Sequence, residues 1–113
     1  MKKIIDLIVS YKFFIIYILF YELIYVILGY KGNNFITRNN NKSTDTIPCS
    51  YYFLIKIYNV IKNEQIKSFI DLGCGNGRAL YFFNNKLKIN YLGVELFKDA
   101  YENSQKIFKY SSN

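Results

Sequence analysis

In the stretch IDLGCGNGRAL, residues 70–80, an aspartate and three glycines fall at alternate positions: Asp71, Gly73, Gly75 and Gly77. Three of the chain's six glycines are spent there. Glycine serves where the backbone must enter positive φ or let something approach closely, and it weakens regular elements on either side. An apolar run precedes the loop and a helix-like run follows it. A glycine-rich turn between strand and helix is the usual cofactor position in an open α/β sheet. Gly73 and Gly75 let the backbone pass close under a ligand, and Gly77 lets the helix start tightly against the strand. Free N–H groups at that helix N-terminus favour electron-rich ligand atoms. A second carboxylate, Glu95, closes the apolar run YLGVEL further along.

The elements that must hold these residues are legible in the pattern around them. After Pro48, Ser50 is a candidate N-cap, and Leu54, Ile57, Tyr58 and Ile61 follow at helical spacing until Asn63 and Glu64. Tyr51 and Tyr52 read as packing residues of this helix. A short apolar run over 68–72 suits a buried strand. RALYFFNN, with Leu80 and Phe83 facing a sheet, suits a helix, and residues 89–96 a second strand. In the last segment Ala100, Ser104, Ile107 and Phe108 share one helical face. Strands alternating with helices predict a parallel sheet and an α/β fold. Arg78 reads as a solvated first-turn residue, with contact to a bound ligand as the second reading, and Cys74 as a small packing residue between glycines.

The first thirty residues belong to another class of segment. They open with two lysines and then stay apolar for most of twenty-five residues. A cleaved signal, an interfacial helix and a membrane span compete for this stretch. Bulky residues fill the place where a signal-peptide cleavage site needs small ones. For a span over residues 7–28, fifteen Leu, Ile, Val and Phe contribute about −5 to −9 kcal/mol. Lys12 and Glu22 oppose this by at most about 3 kcal/mol each, and less away from the centre. The apolar term wins, so a single membrane anchor over 1–30 is expected. Resistance of the chain to carbonate extraction tests this expectation. Tyr17, Tyr21, Tyr25 and Glu22 make one polar stripe, suited to another helix or to headgroups. Lysines and arginines flank the segment evenly, so charge sets no orientation. Residues 31–47, rich in Asn and without periodicity, read as a flexible linker, and 48–113 as the α/β part.

Composition narrows the chemistry. There is no histidine, which excludes His-based catalysis and His-containing zinc sites. Two cysteines give no disulfide framework and suit a reducing compartment. The net charge of +7 is spread without a basic run after residue 30, as on a solvated lysine-rich surface. Nucleic-acid binding is not indicated.

The dinucleotide fingerprint GxGxxG needs a third glycine at position 78, which is Arg78. The pattern is instead Asp-x-Gly-x-Gly-x-Gly, from Asp71 to Gly77, and FIDLGCGNGRAL resembles motif I of the class I S-adenosylmethionine-dependent methyltransferases. The resemblance implies a Rossmann-like doubly wound parallel sheet, methyl transfer, and S-adenosylmethionine as cofactor. It places Asp71, Gly73, Gly75 and Gly77 along the methionine and ribose portions. Glu95 matches the family's acidic residue that accepts the ribose hydroxyls, and Leu96 the apolar face for the adenine. A family member has about seven strands, whereas two are visible here, and the Asn/Asp-Pro-Pro-aromatic signature of amino-group methylation is absent. The expectation is therefore a partial, membrane-anchored methyltransferase with its α/β part in the cytoplasm. A partner chain or a missing C-terminal part would complete the sheet. The methyl acceptor and the catalytic residues stay unassigned, and a site near the membrane hints at lipid, glycan or membrane-protein acceptors. A catalytically inactive membrane interaction protein with a relic loop and an NAD-type reductase are the alternatives.

Overall fold

A computed structural model of the chain describes residues 2–36 and 47–109, with Leu7, Ile8 and Lys109 described by their backbone alone. Its elements follow as α1 (Lys2–Ile27), α2 (Tyr51–Ile61), β1 (Ser68–Leu72), α3 (Arg78–Leu87), β2 (Asn90–Val94) and α4 (Lys98–Lys109). The chain is mixed α/β. β1 and β2 pair in parallel, with Ser68 opposite Asn90 and Leu72 opposite Val94. The strand expected over 68–72 is observed at those bounds, and the second is shorter than its apolar run.

Side chains alternate across a strand, and here the two faces differ sharply. Phe69 packs on Phe83 of α3 at 5.0 Å between ring centroids, and Tyr91 stacks on Phe108 of α4 at 4.7 Å. Gly93 leaves the space that Leu80 and Cys74 fill; an added Cβ would stand 2.3 Å from Leu80 Cδ1. The other face carries Ile70, Leu72, Leu92 and Val94, which are 48–79% exposed. An apolar sheet face of this kind normally lies under helices. Both helices that follow the strands cover the same side.

The core is aromatic. Tyr51, Leu54, Phe82 and Phe83 are buried together with Tyr25. Tyr25 stacks on Tyr51 at 4.8 Å, and Phe82 lies 5.6 Å from Tyr25. α1 thus supplies part of the core through Tyr25, Tyr21 and Ile24. Of the two partners expected for the tyrosine stripe, another helix is the one met: Tyr21 and Tyr25 pack on Tyr52 and Tyr51 of α2, while Tyr17 stays 58% exposed. Segment 31–36 of the expected linker is held in place: Asn76 donates to the Asn34 carbonyl, and Arg78 Nε donates to Gly32 O at 3.4 Å. Residues 37–46 of that linker, with the flanking charges Arg38 and Lys42, lie outside the described residues.

Burial pushes the Tyr51 phenol up to about 12, against a smaller opposing pull from Arg78. An ordinary tyrosine titrates near 10. With the folded value raised, stability is intact below pH 10 and drains away as the pH rises through about 12. Ultraviolet titration should show this phenol ionising only as the fold is lost. A full complement of phenolates at pH 11 with the far-ultraviolet spectrum unchanged would contradict the burial.

Candidate functional site

The loop from Gly73 to Gly77 turns three times through positive φ, at Gly73 (+80°), Gly75 (+53°) and Gly77 (+84°). This is the conformational demand that the glycine spacing predicted. The reason differs along the loop. A Cβ on Gly73 meets nothing within 4 Å, so only the backbone requires glycine there. A Cβ on Gly77 would sit 3.1 Å from Ser104 Cβ and 3.2 Å from Ile107 Cδ1. Gly77 therefore gives way to α4, not to the strand, and it does not line the cleft.

The cleft lies over the carboxyl end of the strands and encloses about 560 Å³, within the range of small-molecule sites. Asp71, Gly73, Gly75 and Glu95 all line it, together with Asn76, Phe69, Phe83 and Phe97. The structure thus brings four of the six expected residues to one cavity. Leu96 is not among them. It is 89% exposed, and continuing the strand's alternation puts it on the open side with Leu92 and Val94. Phe97, one residue later, reaches the cleft instead. The sequence signal for it was period two, counted from Glu95.

The polar geometry is specific. Glu95 Oε2 accepts from Gly75 N at 2.7 Å, and Oε1 accepts from Phe97 N at 2.9 Å. Each oxygen keeps lone-pair capacity beyond these bonds. Gly73 N and Cys74 N both donate to Val94 O, at 2.7 and 3.0 Å, and Gly77 N donates to Cys74 O. The loop's amides are largely committed within the chain. Burial first, and the Glu95 carboxylate second, push the Asp71 carboxyl above its ordinary range. Among the described residues no cation pairs with Asp71 or Glu95. Burial and the same two carboxylates also push the Cys74 thiol up, which suits packing and not nucleophilic work.

Arg78 departs most from expectation. It is buried, not solvated, and its NH1 donates to both oxygens of Glu22 at 2.9 and 2.8 Å. The same group donates to Cys49 O at 3.1 Å, and the guanidinium lies 4.3 Å above the Tyr51 ring. Glu22 Oε1 also accepts from Tyr51 N at 2.9 Å, so α1 caps α2. Ser50 stands at the N-cap position, but its side chain makes no cap bond. One carboxylate on α1 therefore fixes the first turns of both α2 and α3, directly beside the cleft. The sequence held one hint: an acid in an apolar helix and an arginine on a glycine loop, each costly alone.

No family model, no curated protein and no solved structure matches the chain.

Proposed function

We propose that the chain carries the cofactor-binding part of an S-adenosylmethionine-dependent methyltransferase. One observation supports this above the others: two carboxylates, Asp71 and Glu95, face one cleft and neither is paired with a cation among the described residues, since Arg78, which also lines the cleft, is held by Glu22, while most of the loop amides are already bonded within the chain. Such a site suits a ligand bearing positive charge and hydroxyl donors. It suits a pyrophosphate poorly, since that group needs free amides. The reading over NAD-type binding rests on this contrast as well as on the spacing of the glycines.

S-adenosylmethionine, when bound, supplies an electrophilic sulfonium methyl. Asp71 would orient the ammonium end, and Glu95, aligned by the amides of Gly75 and Phe97, would accept a pair of ribose hydroxyls. Gly73 would give room for the ligand, and Phe97 and Phe69 would offer it apolar surface. The fold in this reading is Rossmann-like and doubly wound, with further strand–helix units beside β1 and β2. The bare face of Ile70, Leu72, Leu92 and Val94 supports that reading. Those units would pack on this bare face and carry the acceptor site. Attachment to a membrane runs through α1, with the α/β part in the cytoplasm.

Calorimetry on the full chain in lipid nanodiscs tests the proposal, with S-adenosylmethionine titrated against NAD. Saturable binding of the first alone is expected. Asp71→Ala and Glu95→Ala should each weaken it about tenfold or more, the worth of one lost charge-assisted hydrogen bond. Tighter binding of NAD, or indifference to both substitutions, would refute the reading. Asp71→Asn makes a further contrast. The folded pKa of Asp71 is raised, so its contribution is present below about pH 4 and lost as the pH rises through the folded value. Removing that charge should raise the melting temperature of the free chain at neutral pH while reducing the ligand response.

A further inference from the structure

α1 is long and apolar enough to cross a bilayer, but its docking bears on how it meets lipid. Among the described residues the helix touches the rest of the chain along one side, the first such contact being at Phe14. Phe14 meets Tyr52 and Phe53 at 5.2 and 6.1 Å, Tyr21 meets Tyr52 at 5.8 Å, and Glu22 and Tyr25 hold Arg78 and Tyr51. The opposite side presents Ile5, Val9, Ile16, Phe20, Leu23 and Ile27, all 44–73% exposed.

Crossing about 30 Å of hydrocarbon takes about 20 helical residues. Residues 7–28 rise about 33 Å and would serve, but they include every residue to which α2 docks. A crossing would draw the Glu22–Arg78 pair and α2, with exposed Lys56 and Asn59, into the acyl chains. The part ahead of the first docked residue, 2–13, rises only about 18 Å. It also carries Lys2, Lys3, Asp6 and Lys12, and each charge costs about 2.5–3.5 kcal/mol at the bilayer centre. The packing and the crossing are mutually exclusive.

We propose that α1 lies in the plane of the bilayer surface, its bare apolar side among the upper acyl chains and the α/β part seated on its other side. At that depth, about 5–10 Å, Lys12 reaches the headgroups by extending its stem. The net charge of +7 favours an anionic leaflet. In this arrangement the docked side of α1 stays out of hydrocarbon, the Glu22–Arg78 pair stays intact, and the cleft stands next to the membrane surface. The proposal stands on packing alone and does not depend on which cofactor the cleft takes.

The chain has no tryptophan, so single-tryptophan variants report depth directly. Ile5→Trp, Ile16→Trp and Ile27→Trp would be made in the full chain and bound to phosphatidylcholine–phosphatidylglycerol vesicles. Lipids brominated at shallow or deep acyl positions then quench the emission. All three tryptophans should be quenched alike, and best by the shallow bromines. Deep quenching of Ile16→Trp with shallow quenching at both ends would overturn the proposal in favour of a crossing. Failure to bind vesicles, with two copies associated through this face, would overturn it too. The unaltered chain gives an independent check. Added to sealed vesicles, it should expose Lys2 and Lys3 to an impermeant amine reagent together with Lys56 and Lys62. Protection of Lys2 and Lys3 alone would speak for a crossing.

Discussion

Glu22→Ala should destabilise the full chain by about 3 kcal/mol, among the largest losses available to a single substitution. The Arg78 side chain is 6% exposed and its partner carboxylate 27%. Removing the acid leaves a guanidinium in the interior with two carbonyls and the Tyr51 ring for company. Breaking a buried pair from one side costs about 3–5 kcal/mol, because the surviving charge loses its compensation. Partial solvent access at Glu22 trims that figure. The Tyr51 amide, which Glu22 also accepts from, adds a lost cap of about 1 kcal/mol. Urea unfolding in nanodiscs measures the sum. Replacing both partners, as in Glu22→Met with Arg78→Met, should recover much of the loss, since apolar residues of similar volume often replace such pairs at little cost. A single variant within about 0.5 kcal/mol of the parent would mean that α1 is not docked as described.

Gly32→Ala should cost a comparable amount for a wholly different reason. Gly32 has φ +83°, and an added Cβ would stand 2.6 Å from both the N and Cα of Arg78. These are backbone atoms at the start of α3 and cannot swing aside as a side chain would. Overpacking costs about 1–3 kcal/mol, and the left-handed conformation adds about 1–2 kcal/mol for a residue with a Cβ. Gly73→Ala provides the matched comparison. It has nearly the same φ but open space around the added methyl, so it should lose only the backbone part, about 1–2 kcal/mol. Thermal melts of the two variants side by side check this. Equal losses would mean that the segment after α1 is not pressed against α3.

The difference between these two glycines shows what the sequence could and could not tell. The need for positive φ across residues 73–77 followed from glycine spacing, and the strands and helices around the loop followed from period and composition. That Asp71 and Glu95 would share one site was implied by the resemblance of the loop and of YLGVEL to the methyltransferase pattern. Leu96 lies outside the cleft lining and Gly77 makes room for α4 instead of a strand, because alternation past a strand end and the approach of α4 are tertiary facts. The larger gap concerned α1. Its residues favour lipid by composition, and nothing in a one-dimensional pattern joins Glu22 to Arg78, 56 positions away. Local propensity describes each segment by itself, whereas the pairing of two costly charges is settled only in three dimensions.

That separation has a bearing on how the protein is made. Glu22 leaves the ribosome well before Arg78, and in the interval its helix already has an apolar side that seeks lipid. Closing a loop of this length carries an entropic penalty that local helix formation does not. With α1 on the bilayer as proposed above, the α/β part completes its fold only after its own cap has reached the membrane. Cells in which delivery of α1 to the bilayer is slowed should accumulate chains with Arg78 unpaired and the Tyr51–Phe82 cluster open, a form fit for proteolysis.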